Sequence, residues 1–141
     1  MANPLYGQNK ADTALDAAAP SYESLIAAKT VAAADAGGTF GLNLAAGFAV
    51  TLPLASDMPA GSKIDFIVLD ATADYTITAN AADTLVGTIH STVQAAADAT
   101  GVTIGSDILT FDASGGAAVG DNCELICDGV SKWYARAFCA T

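Results

Sequence analysis

The sequence is short of the residue types on which most protein chemistry depends. It has one histidine, His90, three cysteines, one tryptophan and only five lysines and arginines. Five cations against 15 acidic residues leave a net charge of −10 and a pI near 4.1, a field that repels phosphate backbones and anionic headgroups. Nucleic-acid and membrane partners are therefore not expected. No apolar run approaches the roughly 18 residues of a membrane span. Met1-Ala2-Asn3-Pro4-Leu5 has no basic start followed by an apolar stretch, so the expectation is a soluble protein made in a cytoplasm.

With one histidine, a Ser or Cys nucleophile would have only His90 as its base, and no Gly-x-Ser-x-Gly elbow is present. Carboxylate pairs could be drawn among the many aspartates, but the choice would be arbitrary, and the single Trp makes a poor sugar platform. Three cysteines are an odd count. Cys123 and Cys127, four apart in an extended strand, stand roughly 13 Å from each other, beyond disulfide reach. Buried thiols are the expected state. A zinc site would want a fourth ligand beside the three cysteines, and the only histidine is His90. Gly37-Gly38 and Gly115-Gly116 lack the Lys-Ser or Lys-Thr of a phosphate loop and read as turns. No catalytic residue, metal site or cofactor is expected, and the aspartates read as solvated turn residues.

What is present is a chain of 141 residues, 52% hydrophobic and 14% charged, enough for one core. Of the acidic residues only Glu23 and Glu124 are glutamate. Asp favours turns and caps where Glu favours helix interiors, so the composition, with 13 glycines, points to an all-β domain. Residues 1–35 carry few large apolar groups and read as an N-terminal arm, with a short helix capped by Ser21 or a strand over Leu25–Ala33 as the alternatives. Residues 36–141 read as a single β domain. Its runs are Thr39–Leu44, Ala49–Leu54, Lys63–Asp70, Tyr75–Ala79, Thr84–Ser91, Val102–Ile104, Ile108–Asp112, Asn122–Asp128 and Trp133–Cys139. Turn residues recur between them at the spacing of an antiparallel β-sandwich or barrel of about eight short strands. The alanine-rich Gln94–Ala99 is too short for a stable helix and reads as a loop.

The last two runs form a hairpin. A turn at Asp128-Gly129-Val130-Ser131-Lys132 sets Cys127 opposite Trp133, Leu125 opposite Ala135 and Glu124 opposite Arg136, pairing opposite charges. One face then carries the three cysteines, Leu125, Trp133, Ala135 and Ala137, which reads as core. The other carries Ile126, Tyr134 and Phe138 around the Glu124–Arg136 pair, a face too apolar for free surface.

Thr30-Val31-Ala32-Ala33-Ala34-Asp35-Ala36-Gly37-Gly38-Thr39-Phe40, Ala49-Val50-Thr51-Leu52-Pro53 and Gly61-Ser62-Lys63-Ile64-Asp65-Phe66-Ile67-Val68 form a series. It closes on Val119-Gly120-Asp121-Asn122-Cys123-Glu124-Leu125-Ile126-Cys127-Asp128-Gly129-Val130-Ser131-Lys132-Trp133-Tyr134. This series resembles small β-rich structural proteins of tailed bacteriophages, in particular capsid decoration (cement) proteins and related head or tail fibre modules. The resemblance implies a non-enzymatic virion protein on the outer capsid surface. It would act as a homo-oligomer, with a trimer favoured, that bridges subunits of the major capsid protein.

On that reading Leu5, Tyr6, Tyr22, Leu25 and Ile26 anchor the arm on the shell, and Tyr134, Arg136 and Phe138 contribute to a subunit interface. An alternative is a head or tail fibre module that binds host-surface glycans. A third reading, a calcium-dependent hydrolase or lectin-like domain, would draw on Asp70, Asp74, Asp112, Asp121 and Asp128.

Overall fold

In a computed structural model the chain is described over residues 21–91 and 101–140. Leu5, Tyr6 and the Gln94–Ala99 segment lie outside the described residues. Eleven strands are present: β1 (Tyr22–Leu25), β2 (Lys29–Thr30), β3 (Thr39–Leu42), β4 (Phe48–Thr51), β5 (Lys63–Val68), β6 (Tyr75–Thr78), β7 (Thr84–Ser91), β8 (Val102–Ile104), β9 (Ile108–Phe111), β10 (Asn122–Cys127) and β11 (Lys132–Cys139). Short 3-10 turns occupy Ala33–Asp35 and Ala55–Asp57, and no helix among the described residues is long and apolar enough to cross a membrane. Strands β3 to β11 fall on the nine runs expected from the sequence, and β1 and β2 lie within the stretch assigned to the arm.

The strands form a six-stranded sheet in the order β1-β3-β5-β10-β11-β7 and a five-stranded sheet in the order β2-β4-β6-β9-β8. The expectation of an antiparallel sandwich of about eight strands is corrected here: the sheets are mixed. From Tyr22 to Thr78 the chain alternates between the two sheets, and each return pairs parallel to the strand already laid down there, β1 with β3 with β5 and β2 with β4 with β6. Turn residues mark where the chain changes direction, but they do not say whether it doubles back within a sheet or crosses to the facing one. The crossover that a parallel pair requires is supplied here by a strand of the other sheet.

The second half of the chain adds two antiparallel hairpins, β8–β9 and β10–β11, to the two sheets. Strand β7 closes the six-stranded sheet by pairing parallel with β11 along its whole length. Its glycine is required there, because a Cβ on Gly87 would stand 2.1 Å from the carbonyl oxygen of Ala135.

Both sheets feed one core. Phe40, Leu42, Ile64, Phe66, Leu125 and Trp133 from the first meet Val50, Tyr75, Ile77, Leu109 and Phe111 from the second. Each such side chain contributes about 1.5–3 kcal/mol on burial. Phe40 and Phe66 stack at 5.5 Å, and Phe48 meets Tyr75 edge-on at 5.0 Å. The phenol of Tyr75 both donates to the Leu44 carbonyl and accepts from the Leu44 N–H. Trp133 is fully buried, and among the described residues its indole N–H makes no hydrogen bond.

Candidate functional site

The two faces of the six-stranded sheet are set by the alternation along β10 and β11. These strands pair in the register expected, with Cys127 opposite Trp133, Leu125 opposite Ala135 and Glu124 opposite Arg136. All three cysteines are buried thiols on the inner face. Burial pushes the Cys123 and Cys127 thiols upward, and nearby carboxylates add to the effect. The Cys127 thiol donates to the carbonyl of Ala55 and accepts from the N–H of Gly129, so it is a packing element.

On the outer face the registers with β7 and β5 arrange three rows across the strands. One row runs Val86, Tyr134, Ile126, Lys63. The next runs Thr88, Arg136, Glu124, Asp65. The third runs His90, Phe138, Asn122, Ile67. Val86, Tyr134 and Phe138 are each close to half exposed, at 49%, 48% and 44%. The imidazole of His90 stacks on Phe138 at 5.1 Å and 19°.

Two shallow grooves follow these rows. One of about 380 Å³ is lined by His90, Val119, Asp121, Asn122 and Phe138 among others, and one of about 270 Å³ by Val86, Thr88, Ile126, Tyr134 and Arg136 among others. Between the apolar rows the carboxylate of Glu124 lies 2.9 Å from Lys63 and 4.0 Å from Arg136. Partial burial pushes the Asp65 carboxyl up, Glu124 adds to the rise and Lys63 opposes it.

The structure thus brings Tyr134, Arg136 and Phe138 onto one face and adds neighbours that the sequence reading did not name: Val86 and His90 from β7, and Lys63 and Asp65 from β5. No local signal points to these, because the β7–β11 and β5–β10 pairings join distant parts of the chain. Tyr22 and Ile26 are exposed, whereas Leu25, expected to anchor on a partner, is buried in the core of its own chain.

Seven of the ten described aspartates accept backbone N–H groups of their own chain. Asp128 Oδ1 accepts the N–H groups of Val130, Ser131 and Lys132 at 2.7, 2.9 and 2.9 Å, which closes the β10–β11 turn. Those bonds hold its carboxyl below the ordinary aspartate range. Asp112 is held low in the same way by Ser114 and Gly115, and Asp70 by Thr72. The expectation of solvated turn residues is corrected for two of them. Asp83 and Asp121 are buried, Asp83 accepting from Ala55 N–H at 2.7 Å and Asp121 from Ala118 and Ala140 N–H at 2.9 and 2.8 Å. Among the described residues no three His, Cys, Asp or Glu side chains are grouped as a metal ion requires.

No family model matches the chain, and neither a curated protein nor a solved structure matches it.

Proposed function

We propose that the chain is a non-enzymatic virion structural protein that binds the outer surface of an icosahedral phage capsid and stabilises it by bridging major capsid protein subunits. The observation that carries this reading is the outer face of β7, β11 and β10. There, half-exposed Val86, Tyr134 and Phe138 flank a charged row. Such a face suits adhesion, and repetition over a symmetric shell multiplies a weak contact. The charge of −10 keeps the body clear of packaged nucleic acid and suits an external position. The resemblance of the sequence series to capsid decoration proteins supports the same assignment.

The experiment mixes the purified protein with shells that lack it, pellets them and images them by electron microscopy. Saturable binding at symmetry-related sites with a raised shell melting temperature is expected. A Tyr134→Ala, Phe138→Ala double variant should fold, because both side chains are already about half solvated, yet fail to pellet with shells. Full retention of that variant would remove this face from the contact. Wild-type protein that ignores shells and binds host cells or glycans would replace the reading with the fibre-module one.

A further inference from the structure

Arg136 is the only arginine of the sequence, beside four lysines and 15 acidic residues. In so acidic a chain every cation could be neutralised internally, and the three described lysines are met in that way. Lys29 lies 2.6 Å from Glu23 and over the ring of Phe40 at 5.0 Å. Lys63 lies 2.9 Å from Glu124. Lys132 stands beside Asp128, whose carboxylate is held first by backbone N–H groups and also by the Lys132 charge. Arg136 departs from this pattern. Among the described residues it reaches one carboxylate, that of Glu124, at 4.0 Å, and Glu124 is already engaged with Lys63. The Arg136 side chain is 60% exposed.

Three strands build its surroundings. Along β11, Tyr134 and Phe138 stand on the same outer face two residues to either side, about 7 Å away along the strand. Across the ladders, Thr88 of β7 is paired with Arg136 on one side and Glu124 of β10 on the other. The groove of about 270 Å³ runs beside Arg136, with Val86, Ile126 and Tyr134 as its apolar walls. The guanidinium is therefore a fork of donors set between two half-exposed aromatic rings, with the Thr88 hydroxyl in the adjacent position. Aromatic and arginine side chains dominate binding energy when a partner buries them, and an arginine fork matches a carboxylate with two parallel hydrogen bonds.

We propose that Arg136 receives an Asp or Glu side chain of the major capsid protein, from an extended segment whose acidic residue has apolar residues two positions before and two positions after it. Strands packed face to face keep their directions within about 30° of each other, and alternate side chains of the incoming strand recur at the same interval of about 7 Å. One apolar group then meets the band of Val86, Tyr134 and Ile126, the carboxylate meets Arg136 and Thr88, and the second apolar group meets Phe138 with its stacked His90.

Charge favours a single carboxylate over a polyanion. A phosphate backbone or a polyacidic run would meet the whole field of a chain at −10. One carboxylate at Arg136 is governed by the charges within a screening length of about 8 Å, and the acid beside it, Glu124, is compensated by Lys63. This inference rests on the capsid reading and names what the face recognises on the shell.

The test is pelleting of the full chain with shells that lack it, read as an apparent Kd. Arg136→Gln should weaken binding at least about thirtyfold. Lys132→Gln makes the same change of net charge on the same strand and should cost less than about threefold. Equal losses, or wild-type affinity in Arg136→Gln, would overturn the inference while leaving capsid binding in place. Wild-type protein that does not pellet would overturn the capsid reading and this inference with it. Arg136→Lys supplies an amine for a water-soluble carbodiimide, which activates a carboxylate and leaves as its urea when the amine attacks, so that an amide forms with net loss of water. Mass spectrometry should place the link from that amine on a capsid Asp or Glu with apolar residues at both second neighbours. A link to an acidic residue in another pattern, or none from a variant that still pellets, would overturn the proposed segment. All three substitutions change exposed side chains, so the fold is preserved.

Discussion

If the aspartates are structural fasteners, removing one should destabilise the protein even though it lowers the charge of a chain at −10. Asp121 offers the clearest case. It is 2% exposed, and its two carboxylate oxygens divide their work: Oδ2 accepts the N–H of Ala118 before β10, and Oδ1 accepts the N–H of Ala140 after β11. Asp121→Ala therefore releases both ends of the hairpin at once. A hydrogen bond to a charged acceptor contributes about 1.5–3 kcal/mol, and both donors are only partly buried, so water recovers some of the loss and a net cost of about 2–4 kcal/mol is expected. For a chain of this length that corresponds to a fall in Tm of roughly 8–15 °C.

Asp121→Asn should lose nearly as much. Its single amide oxygen can serve one donor, while its NH2 is turned towards the other. Calorimetry and urea unfolding at pH 7 provide the measurement. The competing effect is electrostatic: one negative charge fewer relieves self-repulsion in a strongly acidic chain. A Tm unchanged or raised in both variants would show that repulsion outweighs the two hydrogen bonds, and would refute the view that these carboxylates hold the fold.

The same logic carries a pH signature at the β10–β11 turn. Asp128 is held below its ordinary value of 3.8 by the N–H groups of Lys132, Val130 and Ser131, so its stabilising contribution is complete above 3.8 and is lost as pH falls through the lower folded value. Wild type should therefore melt above Asp128→Asn at pH 7, with the two curves converging only well below 3.8; an advantage that grows as acid is added would contradict the assignment. Gly87→Ala should cost about 1–3 kcal/mol in urea unfolding, because the added methyl meets the Ala135 carbonyl at 2.1 Å and forces β7 off β11. A variant as stable as wild type would show that the two strands approach less closely.

The extent to which the sequence revealed this protein follows the range of the interactions involved. Alternation, β-branched runs and turn residues are local, and they located nine strands with end shifts of up to three residues. The β10–β11 hairpin was legible down to its register, because a short turn leaves few registers and only one puts Cys123, Leu125, Cys127, Trp133, Ala135 and Ala137 on a common face with Glu124 opposite Arg136. The role of aspartate as a turn former was legible too, but the burial of Asp83 and Asp121 was not, since burial depends on what other segments lay over a turn.

Tertiary structure alone decided the rest. The parallel ladders pair residues separated by a full circuit through the opposite sheet, and a buried strand has the same apolar pattern whether its neighbour runs with it or against it. The burial of Leu25 and the strand character of β1 and β2 depend on β3 and β4 being in place to receive them. The candidate face divides in the same way. Tyr134, Arg136 and Phe138 could be read from the alternation of a single strand. Val86 and His90 joined them only because β7 docks parallel to β11.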